Sequence, residues 1–175
     1  MDLKIEIPVL GFAAFSGTGK TTLLKSIIPV LHQQGIHIGM IKHAHHQFEI
    51  DYPGKDSFEL RKAGAQQMLI ASSSRMALIT EMETEQEPKL DYLVSRLDQN
   101  GLDLILVEGF RHISFPKIEL HRPSLGKPLL CQEDKSIIAL ATDAPIENQP
   151  DIPLLNLNNP EQIAAFIQTE ILDSE

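Results

Sequence analysis

Apolar residues fall along this chain in short solid runs, separated by stretches where they recur every three or four positions. Residues 7–15 are nearly all apolar, which predicts a parallel strand buried on both faces. Residues 21–34 carry helical periodicity and stop at Gly35, a residue suited to a helix C-terminus. Pro29 lies inside that helix, past its first turn, where it is expected to kink the helix or remove one hydrogen bond. Residues 36–41 are a second short strand. Asp56 and Glu59 predict a capping-box start to a short helix reaching Ala63 and closed by Gly64. Residues 67–72 and 76–82 are strands joined only by Ser73, Ser74 and Arg75, a link that favours an antiparallel hairpin. Leu90, Leu93, Val94 and Leu97 recur at helical spacing, and Gly101 is expected to end that helix. Residues 103–110 form another apolar strand, with Glu108 near its end. Residues 117–121, 136–141 and 153–157 are the later strands, and residues 161–172 a closing amphipathic helix behind Asn159 and Pro160. The polar segment 83–89 and the proline-containing segment 123–128 are loops.

Strands alternating with helices predict an α/β fold with a mainly parallel sheet and right-handed crossovers. The hairpin makes the expected sheet mixed and leaves an edge that invites pairing with a second copy. A length of 175 residues predicts one domain over residues 1–175.

Hydrophobic residues make up 42%, enough for a packed core; with aromatics at 5% and no tryptophan, that core must be mainly aliphatic. The formal net charge of −9 opposes nonspecific binding to nucleic acid or to an anionic membrane. Cys131 is the single cysteine and has no internal partner for a disulfide, as expected of a thiol in a reducing compartment. No secretory pattern opens the chain and no apolar segment is long enough to span a bilayer, so a soluble cytoplasmic protein is expected.

The chemistry concentrates where the first strand meets the first helix. Residues 14–21 read AFSGTGKT, which fits the phosphate loop G-x-x-x-x-G-K-[ST] except that Ala14 replaces the first glycine. After Ser16, Gly17 and Gly19 let the backbone turn tightly and approach a polyphosphate without a Cβ in the way. Thr18 lies between them. The helix that follows adds its unpaired N–H groups and the positive end of its dipole. Lys20 supplies a compact charge for the β- and γ-phosphates, and the Thr21 hydroxyl suits Mg²⁺, which takes few protein ligands. Thr22 completes the set. Ala14 implies that the backbone there does not need a positive φ.

In parallel sheets ligands sit beyond the C-terminal strand ends. Glu108, an acid after four apolar residues, is the expected partner of Mg²⁺ opposite Thr21. Lys42 follows the second strand and can touch phosphate oxygens. Asp56 can reach Mg²⁺ or position water, or can simply cap its helix. His43, His45 and His46 are either a metal cluster or a solvated, phosphate-facing one. Arg61, Arg75 and Arg111 are possible charge stabilisers, and nothing in the sequence chooses among them. No Asn-Lys-x-Asp guanine motif occurs. Asp143 and Asn156, at late strand ends, are alternative base readers or turn residues.

The blocks AAFSGTGKTTLL, IKHAHH followed by DYPGKDSFELRKAGA, and DLILVEGFRH resemble the molybdopterin-guanine dinucleotide biosynthesis protein B (MobB) family over nearly the whole length. Ala14 is typical of that family. The resemblance implies a P-loop NTPase fold that binds GTP with Mg²⁺ and hydrolyses it weakly. It implies a homodimer acting as an adaptor beside the molybdenum cofactor guanylyltransferase, and contact with molybdopterin or its guanine dinucleotide. Residues 17–22 carry over as phosphate and Mg²⁺ contacts, and Glu108 as the acid near the metal. The catalytic set is then Lys20, Glu108 and Asp56. A small-molecule kinase and a metal-delivery GTPase are the competing readings.

Lys20 gives its charge to a ligand rather than its packing to the core. Lys20→Ala is therefore expected to keep its fold and lose most triphosphate affinity, which titration calorimetry beside a melting curve checks.

Overall fold

A computed structural model describes residues 7–44, 48–82 and 87–173. The chain divides into two compact units, Met1–His43 with Lys89–Glu175, and Ala44–Pro88.

The larger unit is built on a parallel sheet. In chain order it contains strand β1 (Val9–Ala13), helix α1 (Lys20–Gln33) and strand β2 (Ile38–Lys42). The second unit contributes α2 (Asp56–Lys62), β3 (Gln67–Ala71) and β4 (Met76–Thr80). The larger unit resumes with α3 (Leu90–Ser95), β5 (Leu104–Glu108), β6 (Lys117–His121), β7 (Ile137–Thr142), β8 (Leu154–Asn156) and α4 (Pro160–Ile167), and α4 runs into a π-helical turn over Gln168–Leu172. Among the described residues the sheet has six strands in the order β2-β5-β1-β6-β7-β8, every pairing parallel. The α/β class holds, with one difference from expectation. The hairpin β3-β4 is a sheet of its own and does not make the main sheet mixed.

Side-chain alternation sorts the core into two faces. Leu104 and Leu106 of β5 join Leu10, Phe12, Ile118 and Leu120 under α1 and α4, where Leu24, Ile27, Leu31, Ile163 and Ile167 meet them. Ile105 and Val107 point the other way, with Ile41, against Val94 of α3. Each such side chain stabilises by about 1.5–3 kcal/mol when fully buried.

Helix ends follow local chemistry. Gly35 (φ 83°) donates to His32 O and Ile36 donates to Leu31 O, closing α1 in a Schellman motif whose apolar partners Ile36 and Leu31 are both buried. Pro29 leaves α1 unbroken because it and Lys25, whose carbonyl loses its donor, both lie on the exposed face, where water replaces the missing N–H. Asn159 caps α4 by accepting from Gln162 N, with Pro160 at the first position. Two expectations are corrected. The cap of α2 is Lys55, so Asp56 is the first helical residue and Glu59 reaches back to Gly54 N instead. Helix α3 ends at Ser95, and Gly101 belongs to the turn that follows it.

Lys117 and Glu119, both buried in the larger unit, are partnered. Lys117 is fully buried at the start of β6 and pairs with Asp134 Oδ2 at 2.9 Å, donates to Ile113 O, and lies 4.8 Å from the Phe115 ring centroid. Gly11 makes room for it, since a Cβ there would stand 2.7 Å from Lys117 Cγ and from the Phe115 ring. Burial raises the Asp134 carboxyl, but donors from Ser136 and Lys117 outweigh it and hold it below its ordinary value. Glu119 is buried and accepts from Leu130 N and Cys131 N, both at 2.8 Å. Burial first, and then the Glu119 charge, push the Cys131 thiol up to about 11.

Asp134→Asn leaves Lys117 charged in a buried site with a weaker partner, and is expected to cost about 3 kcal/mol at pH 7. A carboxyl held low in the folded state stabilises fully above its unfolded value of 3.8 and loses that contribution as the pH falls through its folded value. The gap between wild type and variant in urea denaturation is therefore expected to narrow from pH 7 toward pH 3. A gap that widened would contradict the assignment.

Candidate phosphate-binding site

The turn between β1 and α1 has the backbone the motif requires. Gly17 (φ 83°) and Gly19 (φ 99°) are both left-handed, a conformation other residues adopt only with strain. A Cβ on Gly17 would meet nothing within 4 Å, so that side of the turn is open. Ala14 is not among the described residues with positive φ, as its side chain demands. Thr18 is buried, and its Oγ1 donates to Phe15 O at 2.8 Å, fixing the bend. Gly19 is the N-cap of α1 and offers no side-chain cap, and the first turn contains no acid. The positive end of the helix is left for an anion. Lys20 is the first helical residue and is half-buried. Ser16, Thr21 and Thr22 are exposed.

Neighbouring strand ends bring charge to this turn. Glu108 closes β5, in register with Phe12 of β1 on one side and Lys42 of β2 on the other. Its Oε2 lies 3.4 Å from Lys42 Nζ, and its carboxylate is mostly buried while Lys42 is exposed. His43 N donates to Glu108 O at 2.8 Å. The chain then leaves β5 through Gly109 (φ 109°) and Phe110 (φ 53°), the latter the one non-glycine with positive φ among the described residues. A Cβ on Gly109 would stand 2.6 Å from His43 Cβ, and the Phe110 ring lies with its centroid 4.8 Å from that of His43, tilted by 36°. Strain of this kind persists only where the surroundings over-determine it. On the other side of β1, Arg122 follows β6 and donates from Nε to Thr18 O at 2.8 Å while its Nη1 pairs with Asp143 Oδ2. Arg111 and Lys127 lie 6.0 and 5.9 Å from the Phe15 ring centroid. A protein of net charge −9 has thus gathered basic side chains around one bend.

Residues 9–143 match the family model described as molybdopterin guanine dinucleotide synthesis protein B. The chain belongs to the MobB family. The chain is also 52% identical, over 94% of its length and 93% of the relative's, to the molybdopterin-guanine dinucleotide biosynthesis adapter protein of Escherichia coli K12. Its identity to the protein of that name from Haemophilus influenzae is 44%, covering 93% and 89%. In the solved structures the fold is matched by molybdopterin-guanine biosynthesis protein B (TM-score 0.72, 24% identity, 93% and 99% covered) and by Bacillus subtilis MobB (TM-score 0.72, 21% identity, 94% and 98% covered).

In this MobB-family chain, residues 16–22 form the turn and helix start as expected, and Lys42 and Glu108 come together at the strand ends beside it. The donor set of Glu108 and Thr21 is oxygen only, which suits Mg²⁺; the Lys42 ammonium must then share or yield the carboxylate. Asp56 belongs to the second unit, where it sits at the first position of α2 and complements the helix dipole. Arg61 of that unit is committed to Asp51, Glu81 and Glu49, and the Asp51 hydrogen bond above all raises its pKa. His45 and His46 lie outside the described residues, and no metal-binding group of His, Cys, Asp or Glu occurs among the described ones. Asn156 accepts from Asn158 N as a turn residue, and Asp143 is engaged with Arg122. Sequence reasoning did not assign Arg122 to this site. The available signal was its place immediately after a buried strand, on the rim where ligands bind.

Gly109→Ala forces a Cβ against His43 in a left-handed backbone. It is expected to cost about 1–3 kcal/mol and to shift Glu108, lowering Mg²⁺-dependent triphosphate binding more than binding without the metal. Denaturation and titrations with and without Mg²⁺ check both parts.

Proposed function

We propose that this protein is a cytoplasmic GTP-binding adapter in the making of molybdopterin guanine dinucleotide, with slow GTP hydrolysis. The observation that carries the nucleotide part is the β1-α1 turn. Two left-handed glycines, an open side and an uncapped helix start precede Lys20. The turn would seat the phosphates on backbone N–H groups, Lys20 would neutralise the β- and γ-oxygens, and Thr21 and Glu108 would hold Mg²⁺. Mg²⁺, when bound, neutralises the developing phosphate charge. The adapter part is supported by family membership and by the relatives named as adapters. Its partner on this reading is the guanylyltransferase that joins GMP to molybdopterin, with molybdopterin or its guanine dinucleotide as the shared cargo. Among the described residues no helix is long and apolar enough to cross a membrane.

The reading includes a homodimer. In the hairpin, Leu69 faces Leu78 and Ala71 faces Met76 across one side of β3-β4, and Leu69, Leu78 and Met76 are 60%, 48% and 72% exposed. A two-stranded sheet with an uncovered apolar side is marginal alone, and a second copy would cover it.

Calorimetry with Mg²⁺ is expected to give GTP at least about tenfold tighter than ATP, with slow phosphate release; an ATP preference with fast turnover would overturn the reading. Light scattering is expected to give a dimer, and Leu69→Lys with Leu78→Glu a folded monomer. A monomeric wild type would remove the dimer and leave the nucleotide reading standing.

A further inference from the structure

Arg122 lies outside the phosphate-loop motif, yet it touches the loop. Strands β6 and β7 are parallel, with His121 opposite Thr142. The residues that immediately follow these two strand ends are Arg122 and Asp143, so the sheet register itself sets their pairing. One guanidinium then spans two targets: Nε donates to Thr18 O at 2.8 Å and Nη1 to Asp143. A Cβ on Gly19 would stand 3.6 Å from Nη2, in contact with the guanidinium as it crosses to the loop. The backbone of Arg122 is fixed as well, because its carbonyl accepts from Leu125 N at 3.0 Å at the start of the 3₁₀ turn Pro123–Leu125.

We infer that Arg122 is a positioning residue for the phosphate loop, and that Asp143 acts on phosphate affinity through it. In a planar trans peptide the N–H points opposite to the C=O. Holding the Thr18 carbonyl toward Arg122 therefore aims the Gly19 N–H away from it and keeps that donor from turning. Asp143 is the second anchor. Without it, a long side chain with several rotatable bonds is free to leave the carbonyl for water. The inference rests on the loop being a triphosphate site.

The sign of one measurement decides it. Asp143 is an acid near an anion site, so simple Coulomb reasoning has its removal strengthen anion binding. Positioning through Arg122 predicts the opposite. Titrations with GTP and with inorganic tripolyphosphate, each with Mg²⁺, compare wild type, Arg122→Lys, Asp143→Asn and the double variant, with melting curves alongside. Lysine keeps the charge but cannot span both targets. Each single variant is expected to lose about tenfold toward both ligands, the scale of one hydrogen bond to a charged group, and the double variant no more than the worse single. Asp143→Glu, which keeps the charge and displaces it, is expected to lose less and serves if the Asn variant does not fold. Tripolyphosphate binding that is unchanged or tighter in Asp143→Asn would overturn the inference. A loss confined to GTP would too, since Asp143 would then face the base. Losses that add in the double variant, or an Arg122→Lys protein equal to wild type, would also end it. Failure of the site itself reads differently: wild type and Lys20→Ala would bind both ligands alike or not at all.

Discussion

The complete burial of β5 is the constraint on which the rest depends. Leu104, Ile105, Leu106 and Val107 have no exposed surface, because helices cover both faces of the sheet and strands flank both edges. A strand so enclosed cannot slip by one residue without sending its apolar side chains to the wrong face. Glu108 is therefore placed by the core, although its own chemistry is polar. The same register sets Lys42 beside it and brings β1 alongside, so the acid and the β1-α1 turn are fixed relative to each other by hydrophobic packing.

Two ion pairs flank β1, and both are consequences of register. Lys42 with Glu108 joins the ends of β2 and β5; Arg122 with Asp143 joins the ends of β6 and β7. Each lies at the C-terminal rim, half in water, where an ion pair stabilises little. Their value to the molecule is geometric. They hold long side chains at the turn, and they concentrate positive charge locally in an acidic protein. In this chain, side chains at the ends of four strands thus lie on either side of the β1-α1 turn.

The second unit follows a different logic. Its centre is Arg61, buried among Asp51, Glu49 and Glu81, and its hairpin keeps an apolar side exposed. Charge pairing substitutes for the core that so short a segment cannot build. This is why Arg61 reads in the sequence as an available cation and in the structure as a structural one.

The sequence by itself determined the elements, the α/β class, the turn and the family. Those depend on short-range signals: runs of apolar residues, two glycines before a lysine, a glycine after a helix. It also placed Glu108 and Lys42 at strand ends. Only the tertiary structure decided strand order, which set the hairpin apart from the main sheet, and which side chains meet. Arg122 reaches Thr18 across more than a hundred residues of chain, and no local pattern encodes a contact created by two strands lying side by side. Pro29 is the converse case: an apparent fault in the helix pattern, harmless because packing turned that face to water.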